Sequence, residues 1–121
     1  MNSKVDVRVP FAVQTADVEL QLKDSFPGEV LAGNPALKAQ LIWESPDGQQ
    51  SRGVFEAEPG TFSWSFAWDE FFVIVSGRAT VETSEGEILE LVPGTAGIFK
   101  AGDQTTWTIH ETLRKGFHKG L

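Results

Sequence analysis

The sequence predicts an all-β domain, a sandwich or barrel of short strands, on three observations. Apolar and polar residues alternate with period two along much of the chain, which is the pattern of strands with one buried face. Turn signals recur at short, regular intervals. Only one stretch, PALKAQLIW from Pro35 to Trp43, could pass for a helical turn or two. Many short strands with such punctuation build sandwiches and barrels. With 121 residues there is material for a single core, and not for two.

In chain order, Val5, Val7 and Val9 alternate first, but Pro10 interrupts them. A proline cannot donate to a ladder, so this run suits an edge strand or an arm laid across the barrel. Val18, Leu20 and Leu22 form a second alternating run, and residues 1–34 together read as an N-terminal strand or arm, with the barrel domain at 35–121. The second half of PALKAQLIW reads as strand. Phe62, Trp64 and Phe66 share one face while Ser63 and Ser65 share the other. Ile88 with Glu90, and Leu89 with Leu91, mark a later strand. Phe26-Pro27-Gly28, Gly33-Asn34-Pro35, Pro46-Asp47-Gly48, Pro59-Gly60, Ser84-Glu85-Gly86, Pro93-Gly94 and Ala101-Gly102-Asp103 supply the turns.

The run EFFVIVS, Glu70 to Ser76, breaks the alternation because residues 71–75 are apolar on both faces. One face meets the core. The other needs a cover, either residues 1–34 or a second copy of the chain in a homodimer.

Charge and composition exclude several roles. Ten Lys plus Arg stand against seventeen Asp plus Glu, a formal charge of -7, with no basic run to neutralise a phosphate backbone. Nucleic acid and anionic membrane surfaces are therefore not expected partners. There is no cysteine, hence no disulfide framework and no thiolate for metal or catalysis. The N-terminus lacks the continuous apolar region of a secretory signal, and no stretch reaches the roughly 18 apolar residues of a membrane span. A cytoplasmic protein is expected.

Two motif halves carry a resemblance. Glu70 is followed by FFVIVS and then Gly77, an E(X)6G pattern, and Gly94 to Gly102 keeps the glycine spacing of a second motif. On these residues the segment from Pro59 to Thr112 resembles the cupin superfamily, which implies a double-stranded β-helix, or jelly-roll barrel. Gly53 with Phe55, the Glu70 to Gly77 strand, Trp107, and Arg114 with Lys115 are similar to single-domain cupins related to the cupin half of (S)-ureidoglycine aminohydrolase. The resemblance implies a metal site of two histidines and a glutamate from the first motif and a histidine from the second. Here the first pair falls on Trp64 and Phe66, or on Ser63 and Ser65, and the last on Thr105. Only Glu70 remains, and one carboxylate among apolar neighbours does not hold a transition metal. No metal and no cofactor are expected.

The candidate site follows from the same alternation. Glu70 shares a face with Trp68, Phe72 and Ile74, where it could act as an acid, a base or a hydrogen-bond donor, while Asp69 points the other way. Arg114 and Lys115 alternate, so only one faces inward; the resemblance favours Lys115 as the charge partner of Glu70. Thr105, Trp107 and Ile109 inward put His110 outward. Glu70 and Lys115 are thus the candidate catalytic residues, and Trp64, Phe66, Trp68, Phe72, Thr105 and Trp107 the candidate ligand-binding ones. The expected function is binding of a small polar or cyclic metabolite without a metal. The alternatives are metal-free acid–base catalysis through Glu70 on a ureide or sugar derivative, or a fully packed barrel that serves only as an interaction module.

Overall fold

The structure is a computed structural model, and residues 9–120 are described. It is a curled sheet of nine strands: β1 (Gln21–Leu22), β2 (Val30–Gly33), β3 (Lys38–Glu44), β4 (Ser51–Ala57), β5 (Gly60–Ser65), β6 (Glu70–Thr83), β7 (Ile88–Leu91), β8 (Ala96–Phe99) and β9 (Gln104–Lys119). A single turn of 3₁₀ helix, Thr15–Asp17, precedes them. Among the described residues no helix is long and apolar enough to cross a membrane. All pairings are antiparallel, and the architecture is the jelly-roll barrel that the cupin resemblance implies.

Two long strands organise it. The sheet path runs β1-β3-β4-β9-β5-β2, and β6 joins by pairing with β7, β8 and β9. β9 pairs with β4 through its second half, with β5 through its first half, and with β6 along nearly its whole length. Such a strand closes the barrel by belonging to both walls. The β6–β9 register shifts between Ile74 and Ala79, and Gly77 sits in that kink with φ +86°. A Cβ there would come within 2.0 Å of the Thr112 carbonyl oxygen, so the motif glycine is required by both conformation and space.

On β9, Thr105, Trp107, Ile109, Leu113 and Lys115 point inward and are buried, while His110 is exposed. Glu111 breaks the odd-numbered inward series at the kink, where it is exposed and pairs with Arg78 at 3.1 Å. On β6, Glu70, Phe72 and Ile74 are inward, and Ala79 and Val81 continue the core beyond the kink. The apolar residues among these form one continuous cluster with Leu37, Phe55, Ala57, Phe62, Phe66, Leu91 and Phe99.

Three runs behave differently from their alternation. Val5 and Val7 lie outside the described residues, and Val9 is exposed. Of the run at 18–22 only Gln21–Leu22 is strand, and Leu22 is exposed. Among the described strands this two-residue strand pairs with β3 alone, at the sheet edge, where one side-chain face is left to solvent. Ile88 and Leu89 are also exposed, because β7 pairs with β6 alone and only Leu91 reaches the core. Residues 30–33, within the expected arm, are a strand in their own right, β2 on β5.

Candidate functional site

One end of the barrel stays open. A cavity of about 330 Å³ is walled by Phe55, Phe62, Trp64, Phe66, Trp107 and Phe117, with Glu70 and Lys115 among its lining and Lys23, Trp68 and Lys119 also facing it. That volume is at the lower end of ligand pockets, roughly 300–1,000 Å³.

The walls are ordered by ring contacts. Phe62, Trp64 and Phe66 come from β5 and the residue after it, all on the inner face. Trp64 stacks on Phe26 with centroids 5.6 Å apart, and Phe62 stacks on Trp107 at 6.0 Å. Phe66 stacks on Phe99 at 4.5 Å, and Phe99 in turn on Phe72 at 5.4 Å. Each such pair contributes about 0.5–1.5 kcal/mol beyond area burial and, more usefully here, fixes the ring planes.

The charged centre is a buried ion pair. Lys115 Nζ donates to Glu70 Oε2 at 2.6 Å, and both residues are buried. Register explains the contact: Lys115 lies opposite Ile74, and its side chain runs along the inner face past Phe72 to Glu70 at the start of β6. The ammonium also lies 4.8 Å from the Trp107 ring centroid, 5.1 Å from Phe55 and 5.6 Å from Phe72. Desolvating each ion costs several kcal/mol. The short charge-assisted bond and the ring faces, at about 2 kcal/mol or more for a desolvated cation–π contact, offset part of it. Among the described residues, Glu70 Oε1 and the remaining N–H groups of Lys115 make no further protein hydrogen bond, and both side chains line the cavity.

The other predicted site residues divide. Trp64, Phe66, Trp68 and Trp107 line the cavity with the pair, Trp68 as a half-exposed side chain in the turn before β6. Phe72 and Thr105 do not line it. Phe72 belongs to the packed core, and the Thr105 hydroxyl donates to the Trp64 carbonyl at 2.8 Å while accepting from Trp107 Nε1 at 2.9 Å. Thr105 thereby ties the two tryptophan-bearing strands together from behind the wall. Arg114, on the outer face, pairs with Glu56 at 2.8 Å and donates to the Thr15 carbonyl. Asp69 turns away from Glu70 and accepts from Lys100 Nζ at 2.9 Å and from the Ala101 amide at 2.8 Å. Those two bonds, the lysine first, hold its carboxyl below the usual range.

Several lining residues are not among the candidate site residues of the sequence. Phe117 and Lys119 follow from Lys115 by the same period of two, and Phe55 lies opposite Lys115 in the β4–β9 register. Lys23 and Phe26 carry no such signal, because they reach the cavity only when the N-terminal segment folds back over the β3 and β5 edges.

The residues at the cupin ligand positions do not fit a divalent metal. Trp64 and Phe66 offer rings where imidazoles would donate, the Thr105 hydroxyl is committed on both sides, and Glu70 faces an ammonium. Among the described residues no group of three His, Cys, Asp or Glu side chains converges to hold an ion.

Comparison with known proteins agrees with the cupin fold. Solved structures of similar fold include an ethanolamine utilization protein Q (EutQ) from Salmonella typhimurium, with TM-score 0.64 and 14% identity, covering 83% of this chain and 97% of that one. The EutQ protein of Clostridium difficile superposes with TM-score 0.68 at 15% identity over 90% and 85% of the two chains. The cupin domain of Schizosaccharomyces pombe Cnp3 does so with TM-score 0.69 at 14% identity over 90% and 72%. No curated protein matches the sequence. Residues 44–117, more than half of the chain, match the EutQ-like cupin domain, and the chain belongs to that cupin family.

Proposed function

We propose that this cupin binds a small polar or cyclic metabolite in the open end of its barrel, without a metal. The observation that carries the reading is the aromatic-walled cavity with the Glu70–Lys115 pair in its lining, both partners retaining hydrogen-bonding capacity toward the space. An apolar body packs against the rings, and the pair orients polar groups. Trp64, Trp68 and Trp107 are the reporters: a ligand changes intrinsic fluorescence in a metabolite screen, saturably, and Trp64→Ala weakens the response. Elemental analysis of the purified protein returns no stoichiometric manganese, iron, zinc or nickel. One tightly bound metal per chain, or a fluorescence spectrum indifferent to every compound, defeats the reading.

A second reading is favoured by the 2.6 Å contact itself. Two groups that share a proton-transfer distance beside a cavity suit acid–base catalysis, with Glu70 moving the proton and Lys115 as its charge partner, on a ureide substrate of the type handled by ureidoglycine aminohydrolase. Glu70→Gln separates the readings: it abolishes turnover of a ureide panel while ligand binding survives if the protein is an enzyme, and there is no turnover to abolish if it is a binding protein.

The reading extends to a cytoplasmic protein that pairs as a two-fold dimer. Phe71, Val73 and Val75, on the outer face of β6, are 41%, 36% and 42% exposed, a contiguous apolar strip that a second copy would cover. Val73→Glu then shifts the sedimentation of the protein from dimer to monomer; a monomeric parent protein refutes the pairing.

A further inference from the structure

The cavity lining is charged in the opposite sense to the protein. The chain carries a formal charge of -7, yet among the described residues the ionisable side chains lining the cavity are three lysines, Lys23, Lys115 and Lys119, and one carboxylate, Glu70. Lys115 is matched to Glu70 by their 2.6 Å bond. Lys23 and Lys119 are matched by nothing: among the described residues neither makes an ion pair or a side-chain hydrogen bond. Both belong to segments that place them at this end of the barrel. Lys23 follows β1, where its amide bonds the Leu37 carbonyl, and Lys119 ends β9 opposite both Glu70 and Ser51.

We propose that the ligand is a small organic anion with an aromatic or cyclic body, its charged head seated between Lys23 and Lys119 and its body against Trp64, Phe66 and Phe117. This rests on the binding reading above and narrows it. Lys23, half-buried, and Lys119, at the exposed rim, line the same aromatic-walled cavity with no counter-ion among the described residues, and their like charges oppose each other until an anion enters. Burial, and secondarily the charge of Lys119, hold the Lys23 amine below the usual lysine range, as expected for a group that lacks a partner. A bound anion relieves both effects and gains charge-assisted hydrogen bonds from the two amines. A cationic ligand meets the same amines as a penalty.

The test is calorimetric titration of the full chain with matched probes: phenylacetate and indole-3-acetate, their uncharged amides, their amine counterparts, and phenyl phosphate. The acids bind about tenfold or more tighter than the amides, the amines bind weakest, and added salt narrows the gap. Phenyl phosphate against phenylacetate ranks the two kinds of anionic head. The double variant Lys23→Met with Lys119→Met loses the preference for acids while its affinity for the amides stays within about twofold. Lys100→Met, which removes an exposed cation bonded to Asp69 outside the cavity lining, keeps the preference. Amides that bind as tightly as acids, or a preference that survives the double variant, overturn the anion assignment and leave the pocket reading standing. Binding of no probe overturns both.

Discussion

The two ends of the barrel are built by the same pair of strands and behave as opposites. At the kink and beyond it, Leu113, Ile109, Ala79, Val81 and Leu91 join the core cluster at exposures of 3% or less, and no ionisable side chain of the described residues is buried among them. At the other end the same strands contribute Glu70, Lys115 and Lys119, and the rings surround a space they do not fill. Small barrels gain stability by filling their interior. One end is therefore organised for folding, while the other keeps an expensive polar pair beside a cavity, the arrangement expected of a site.

Splitting the pair disturbs this contrast most. Lys115→Met leaves Glu70 buried without its cation and costs about 3–5 kcal/mol in chemical denaturation at neutral pH. Glu70→Gln with Lys115→Met removes both charges and recovers most of that loss, while ligand binding stays impaired. A double variant as unstable as the single one shows that the pair serves packing rather than a site. Next in size is Leu113→Ala, at 0% exposure in the packed end. It costs about 2–5 kcal/mol through the lost transfer energy and the cavity left behind, and ligand affinity is unchanged. A matching loss of affinity would join the two ends that the fold keeps apart.

A slighter change is expected in pH dependence, and it belongs to the open end. The folded Asp69 carboxyl titrates below its unfolded value because of Lys100 and the Ala101 amide. In the window between the two values the unfolded chain binds more protons, so this contribution is present above about pH 3.9 and is lost as pH falls through the folded value. Asp69→Asn therefore flattens the acid limb of the stability curve slightly, since its partner Lys100 is exposed to solvent. Leu113→Ala lowers the same curve evenly and leaves its shape alone.

Much of the fold was legible because a strand needs only period two and a turn needs only its residues. Phe62, Trp64 and Phe66, and Thr105, Trp107 and Ile109, point inward as the alternation demands, and Gly77 marks the kink. The alternation failed at Leu22 and Leu89, where a strand borders an edge and burial depends on whether another layer lies across from it. At the site, period two identified the face of Glu70, and the family resemblance chose Lys115 over Arg114, but neither told which inward side chains are packed over by others. Phe72 and Thr105, on the correct face and level with lining residues, are absent from the cavity lining because Phe72 stacks on Phe99 within the core and the Thr105 hydroxyl is held by Trp64 and Trp107. The lysine excess is tertiary in origin: Lys119 shares its face of β9 with Lys115 and Phe117, while Lys23 arrives from another strand altogether.

Whether the open end of the barrel is the binding site can be read from an NMR titration of the ¹⁵N-labelled protein with the tightest-binding aromatic acid. The expected result is saturable shifts at the Trp64 and Trp68 indole N–H groups and at the backbone of residues 66–70 and 115–119, with Ala79, Val81 and Leu113 unmoved. Shifts confined to the outer strip of Phe71, Val73 and Val75, or centred on the packed end, would contradict it.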